Sequence, residues 1–280
     1  MQIWYSILDQ ILPFEWLSFS FMKNAFLAIL FVAPTFGLLS TMVVNNKLAF
    51  FSEAIGHSTL TGIAIGVIFG IGNPLWAMLL FSLILAILIS IVNKNSTSST
   101  DTIIGVFSSA SIAIGTVILS RGGGFAKYSS FLIGDLLSIT PSEIGILVVV
   151  FLSVLLFWIV LFNQLVIISM NKSLANSRRI SVFKIETLFT VVIAIIVTVS
   201  IQWVGLLIIN SFLILPAATS RNLAQNIKQY HIISIAVATF SGIVGLIASY
   251  YIGSATGATI VVIMALCYLL TLVIKVVKKI

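Results

Sequence analysis

The feature that most constrains this 280-residue chain is a succession of nine apolar stretches, at about 22–43, 49–71, 74–92, 102–120, 143–169, 185–201, 203–219, 231–252 and 255–275. Each is long enough, or nearly so, to cross a bilayer as a helix. Backbone N–H and C=O groups find no water in lipid, so a spanning segment satisfies them internally, as a helix or within a closed barrel. None of the stretches alternates apolar and polar residues in the manner of a barrel strand. The expected fold is all-α: a polytopic transmembrane bundle of about nine spanning helices, forming a single domain over residues 1–280. Only 8% of residues are charged, against about 25% in a soluble domain, which leaves no room for a water-soluble catalytic module.

The excess of basic residues, 14 Lys and Arg against 7 Asp and Glu, is informative through its placement. Lys47, Lys94, the group Lys172, Arg178, Arg179 and Lys184, then Arg221 with Lys228, and finally Lys275, Lys278 and Lys279 fall on every second connection. Basic residues collect in cytoplasmic loops, so nine spans put the N-terminus outside and the C-terminus inside. The charge thus reports orientation, and no nucleic-acid partner is expected. The connection 121–141, with Arg121 and Lys127, departs from the pattern. Its stretch 126–139 is too short to span and reads as a re-entrant or interfacial helix, followed by a helix start at Thr140-Pro141-Ser142-Glu143. Residues 1–20 have no basic start, and Asp9 and Glu15 interrupt their apolar run, so they read as an interfacial segment and not a signal peptide. Cys267 is the sole cysteine, which excludes an intrachain disulfide and a cysteine metal cluster.

Residues four apart on a helix lie over one another. In the second apolar stretch Ala54, Ser58, Gly62, Gly66 and Gly70 form a line of small residues that lets another helix approach closely. Beside it, Glu53, His57 and Thr61 form a polar line. A carboxylate at helix depth costs about 2.5–3.5 kcal/mol on insertion scales and needs a compensating role. Three readings of the pair follow from its spacing. Glu53 reaches back to Lys47 while His57 is a satisfied core histidine; or carboxylate and imidazole bind one divalent ion; or the two relay a proton. Asn210 and Ser211, inside an apolar run that Pro216 is expected to kink, serve either to join helices or to line a path. His231, at the start of a stretch beside Tyr230 and Lys228, is expected at the interface. The polar stretch 169–186 places Leu174, Ser177 and Arg178 on one face of a short helix, either a docking surface or simply a basic loop.

Four segments in order carry a family resemblance. "SEAIGHSTLTGIAIG" resembles the signature of the membrane permeases of ATP-binding-cassette importers for manganese, zinc and iron, and "GLLIINSFLILPAAT" resembles their second signature. "DTIIGVFSSASIAIG" and "FLIGDLL" are similar to two further family segments. The resemblance implies that Glu53 and His57 line the metal path; Thr61, from the polar line, and Asn210 and Ser211, from the Pro216 stretch, are further lining candidates by position. It also implies that 169–184 is the cytoplasmic coupling loop, in which Lys172, Ser173, Leu174, Ala175 and Arg178 meet the ATPase. The implied assembly is a homodimer of permeases with two ATPase subunits and an external metal-binding protein, in the bacterial cytoplasmic membrane. Mn²⁺ or Zn²⁺, with Fe²⁺ as a third candidate, is cargo, and no permanently bound cofactor is implied. The chain has no Walker motif and no HExxH pair, so it is read as a transport subunit and not an enzyme. Where the family commonly has Asp after Gly, this chain has Glu53 after Ser52, and the stretch "MNKSLANSRR" lacks the acids usual in the family's docking helix. The alternative class is a proton-coupled secondary transporter or channel using Glu53 and His57 as the relay.

Overall fold

The computed structural model describes Tyr5, Leu8, 14–121 and 135–278. All regular structure among the described residues is helical: α1 (Ser20–Asn45), α2 (Phe51–Ile68), α3 (Pro74–Asn95), α4 (Thr100–Arg121), α5 (Pro141–Met170), α6 (Lys172–Ser177), α7 (Val182–Val204), α8 (Leu206–Leu223), α9 (Ile227–Ile252) and α10 (Thr256–Lys278), with 3-10 turns at Glu15–Ser18 and Leu136–Ser138. Eight of these helices are long and apolar enough to cross a membrane. α2 falls outside that set by composition and not by length, since α8 has the same 18 residues: Glu53, His57, Ser52, Ser58, Thr59 and Thr61 dilute its apolar content. The expected interfacial segment 1–20 and the short helix 126–139 lie largely outside the described residues.

Helix boundaries follow local chemistry. Asn73 Oδ1 accepts from Leu75 N at 3.0 Å ahead of Pro74, capping α3. Glu143 Oε2 accepts from the backbone N of Thr140 at 2.7 Å and from its hydroxyl at 2.8 Å, so α5 begins where Thr140-Pro141-Ser142-Glu143 anticipates. Gly253, at φ 68, ends α9. One boundary moves. The break that the apolar stretches 185–201 and 203–219 place at Gln202 lies instead at Gly205, because that residue adopts φ 86 and ψ 153, a conformation essentially reserved for glycine.

The chain divides into two compact units. One comprises Met1–Thr41, Asp135–Leu156 and Ser211–Ile280. Within it, hydroxyls and amides join helices that are otherwise apolar: Ser40 and Ser234 hydroxyls lie 2.8 Å apart between α1 and α9, Ser249 and Thr256 3.0 Å apart between α9 and α10, and Asn222 Nδ2 donates to Thr271 Oγ1 at 3.2 Å between α8 and α10. His231 belongs to this set. It is buried at 7% exposure, with Nδ1 2.8 Å from Thr41 Oγ1, and does not sit at the interface as its place in the sequence suggests. The Thr41 hydroxyl supplies the polar partner that allows the ring to be buried.

The other unit, Met42–Gly134 with Phe157–Asn210, carries α2, α3, α4, α6 and α7. Its core is α2, where Ala54, Ser58, Gly62 and Gly66 are all buried. The small-residue line packs on α3: a Cβ at Gly62 would lie 2.9 Å from Met78 Cα and 3.0 Å from the Ala77 carbonyl oxygen, a backbone approach that only a missing side chain allows. α3 is tied to α7 by the Ser90–Thr190 hydroxyl pair at 2.9 Å and by Thr198, which donates to Ser82 at 2.9 Å.

Candidate metal path

Glu53 lies in the first turn of α2, where the unpaired N–H groups of a helix start favour an acid. His57 follows one turn later, with Nε2 3.8 Å from Glu53 Oε1. The side chains are 49% and 30% exposed, respectively, on a helix whose other residues from Phe51 to Ala64 are buried. That contrast isolates one open face, bearing one carboxylate and one imidazole, on an otherwise packed helix. Among the described residues the basic side chain within 4 Å of the Glu53 carboxylate is His57 and not Lys47.

The polar line ends there. Thr61 is fully buried, and its hydroxyl donates to the Ser111 carbonyl on α4, so it serves helix packing and does not share the open face. Asn210, near the start of α8, has its carbonyl Oδ1 buried and without a hydrogen-bond partner among the described residues. Ser211 follows it on α8, half-buried. No cluster of three or more His, Cys, Asp and Glu exists among the described residues, so Glu53 and His57 are a two-donor set in a single chain. Carboxylate oxygen with imidazole nitrogen suits divalent ions of intermediate hardness.

At the coupling stretch, Asn171 Oδ1 accepts from the backbone N of Ser173 at 2.8 Å and of Leu174 at 3.1 Å and so starts the short helix α6. Lys172, Ser173, Leu174, Ser177 and Arg178 are exposed, whereas Ala175 is fully buried and belongs to the inner side of α6. Glu186 adds a contact that the sequence gives no reason to single out: its Oε1 lies 2.7 Å from Lys172 Nζ.

Residues 18–275 match the model of the ABC 3 transport family. The chain belongs to that family. Members of the ABC 3 transport family similar to this chain include the high-affinity zinc uptake system membrane protein ZnuB of Haemophilus influenzae, 32% identical over 84% of this chain and 90% of its own length. The manganese import system permease protein ScaB of Streptococcus gordonii is 27% identical over 90% of this chain and 91% of its own. Among solved structures, PsaBC from Streptococcus pneumoniae in complex with Fab matches with a TM-score of 0.78 at 26% identity, covering 97% of this chain and 95% of that one. Family membership and the eight apolar helices together make this a multi-pass membrane protein, a transport subunit of the ABC 3 type. Membership also sets aside the proton-coupled carrier as the alternative class.

Proposed function

We propose that the chain is the permease of an ATP-driven importer that takes a divalent metal, manganese or zinc with iron as the third candidate, from an external metal-binding protein. The observation that carries this reading is the Glu53–His57 pair, 3.8 Å apart and open on one face of a buried helix. Two hard-to-intermediate donors and no thiolate hold an ion weakly enough to release it, which a conducting site requires. Asn210 contributes a further oxygen: a buried carbonyl with no hydrogen-bond partner among the described residues is a donor available to a passing cation. Ser211 continues this lining. Thr61 does not, since its hydroxyl is committed to Ser111.

The chain works as a homodimer in the bacterial cytoplasmic membrane, with the N-terminus outside and the C-terminus inside. Support for the dimer is the exposed pair itself, because a second copy covering that face would complete a coordination shell that one chain leaves half built. Two ATPase subunits bind from the cytoplasm at 169–184, meeting the exposed Lys172, Ser173, Leu174 and Arg178 of α6 and the turn after it. ATP-driven closure of those subunits displaces α6, the bundle opens, and Glu53 with His57 passes the ion inward.

Uptake of radiolabelled manganese and zinc into vesicles holding this chain and its ATPase tests the reading, with Glu53→Gln and His57→Ala for comparison. The expected result is ATP-dependent uptake of one metal, lost in both variants while the complex still assembles. Equal uptake by all three proteins would show that the polar face is structural and that the path lies elsewhere.

A further inference from the structure

The stretch from Asn171 to Arg179 holds three basic residues and no acid, yet its first helical residue has an acidic partner. Lys172 Nζ lies 2.7 Å from Glu186 Oε1, on the second turn of α7. The Glu186 side chain is 28% exposed and that of Lys172 62%, so the pair joins an exposed outer position to a more buried inner one.

The surroundings make this contact matter. A cavity of about 460 Å³ lies beside α6 at the ends of α3 and α7, with Lys172 and Glu186 themselves in its lining beside Lys94, Asn176, Phe183 and Thr190. Across an open space of that size, displacement passes through direct side-chain contacts, of which the Lys172–Glu186 pair is one. On the α3 side of this space Lys94 Nζ lies over the Phe183 ring, 4.5 Å from its centroid. α6 is seated by its buried Ala175 and by the Lys172–Glu186 pair. From α7 the connection continues to α2: the Ser90–Thr190 and Ser82–Thr198 hydroxyl pairs hold α7 to α3, and α3 packs on Gly62 of α2, the helix bearing Glu53 and His57.

We propose that Glu186 is a positioning residue for transport: its ion pair with Lys172 is the strut through which movement of α6 reaches α7 and then α2. The inference rests on the reading of the chain as an ATP-driven permease. Losing the pair does not unfold the protein, because Lys172 is largely in water and α7 is held by its own apolar face. What is lost is coupling between α6 and α7, and an exposed ion pair supports a change of up to about fivefold.

The test uses the full complex of this chain with its ATPase in proteoliposomes, with radiolabelled Mn²⁺ and Zn²⁺ as probes. It reads metal ions moved per ATP hydrolysed for the unaltered chain, Glu186→Gln, Lys172→Gln and the exchanged pair Lys172→Glu with Glu186→Lys. The expected result is a fall in that ratio of about two- to fivefold in Glu186→Gln with ATPase co-purification unchanged, a similar fall in Lys172→Gln among the complexes that form, and substantial recovery in the exchanged pair. A ratio in Glu186→Gln equal to that of the unaltered chain would overturn the strut alone, as would an exchanged pair no better than the single variants. Absence of ATP-driven uptake by the unaltered complex would overturn the transport reading, and the strut with it.

Discussion

Thr61 on α2 donates its hydroxyl to the main-chain carbonyl of Ser111 on α4, and Gly115, one turn further along α4, leaves the space in which Thr61 sits. A Cβ at Gly115 would lie 3.0 Å from both Cα and N of Thr61, so the two helices approach at backbone distance. Gly115→Ala is expected to force them apart at about 1–3 kcal/mol, the usual range for overpacking. Thr61→Val removes only the interhelical hydrogen bond, at about 0.6 kcal/mol. Thermal unfolding of the purified protein in detergent should rank the two in that order, and the valine variant should keep its metal uptake.

The proposed path makes a chemical prediction about His57. Replacing imidazole with thiolate softens one of two donors, and soft donors favour zinc over manganese. His57→Cys is expected to shift dual-isotope uptake toward zinc relative to the unaltered chain. An unchanged zinc-to-manganese ratio would place His57 outside the first shell of the ion.

Asn210 separates packing from lining. A residue that joins helices loses stability when its amide is removed, whereas a buried acceptor with no partner penalises the fold by about 1–3 kcal/mol and relieves that penalty on removal. Oδ1 of Asn210 has no partner among the described residues, so Asn210→Leu is expected to hold or raise the melting temperature while lowering uptake. A lowered melting temperature with uptake intact would assign the residue to packing.

His231 should behave in the opposite way. Its ring is buried against the Thr41 hydroxyl at 2.8 Å, joining α1 and α9. His231→Ala is expected to cost about 1–3 kcal/mol, the common range for losing a buried, hydrogen-bonded side chain. Metal selectivity should not change, which a competition assay on the surviving folded fraction would check.

What could be read from the sequence was what is local to one helix or one turn. Glu53 over His57 is a consequence of helical geometry alone, and the caps at Asn73 and at Thr140 to Glu143 need only neighbouring residues. The four ordered segments carried the family. Harder to read were features decided by packing between distant stretches. Thr61 has the same spacing from His57 as His57 has from Glu53, but a carbonyl 50 residues away draws it into the interior. Nothing near His231 announces Thr41, 190 residues earlier in the chain. A six-residue helix has too few turns for periodicity to indicate its inner side, so the burial of Ala175 and the pairing of Lys172 with Glu186 emerge only from the folded arrangement.

Gly205 joins α7 to α8 as a one-residue corner, and its unusual backbone swings Leu206 onto α2 at Gly56, where any side chain would collide with the leucine methyl. Gly56 immediately precedes His57. The corner therefore works as a key in a socket: α2 cannot rotate about its own axis without pushing Leu206 out of its seat, so the angle at which the imidazole is presented is governed from a helix junction about 150 residues away in sequence.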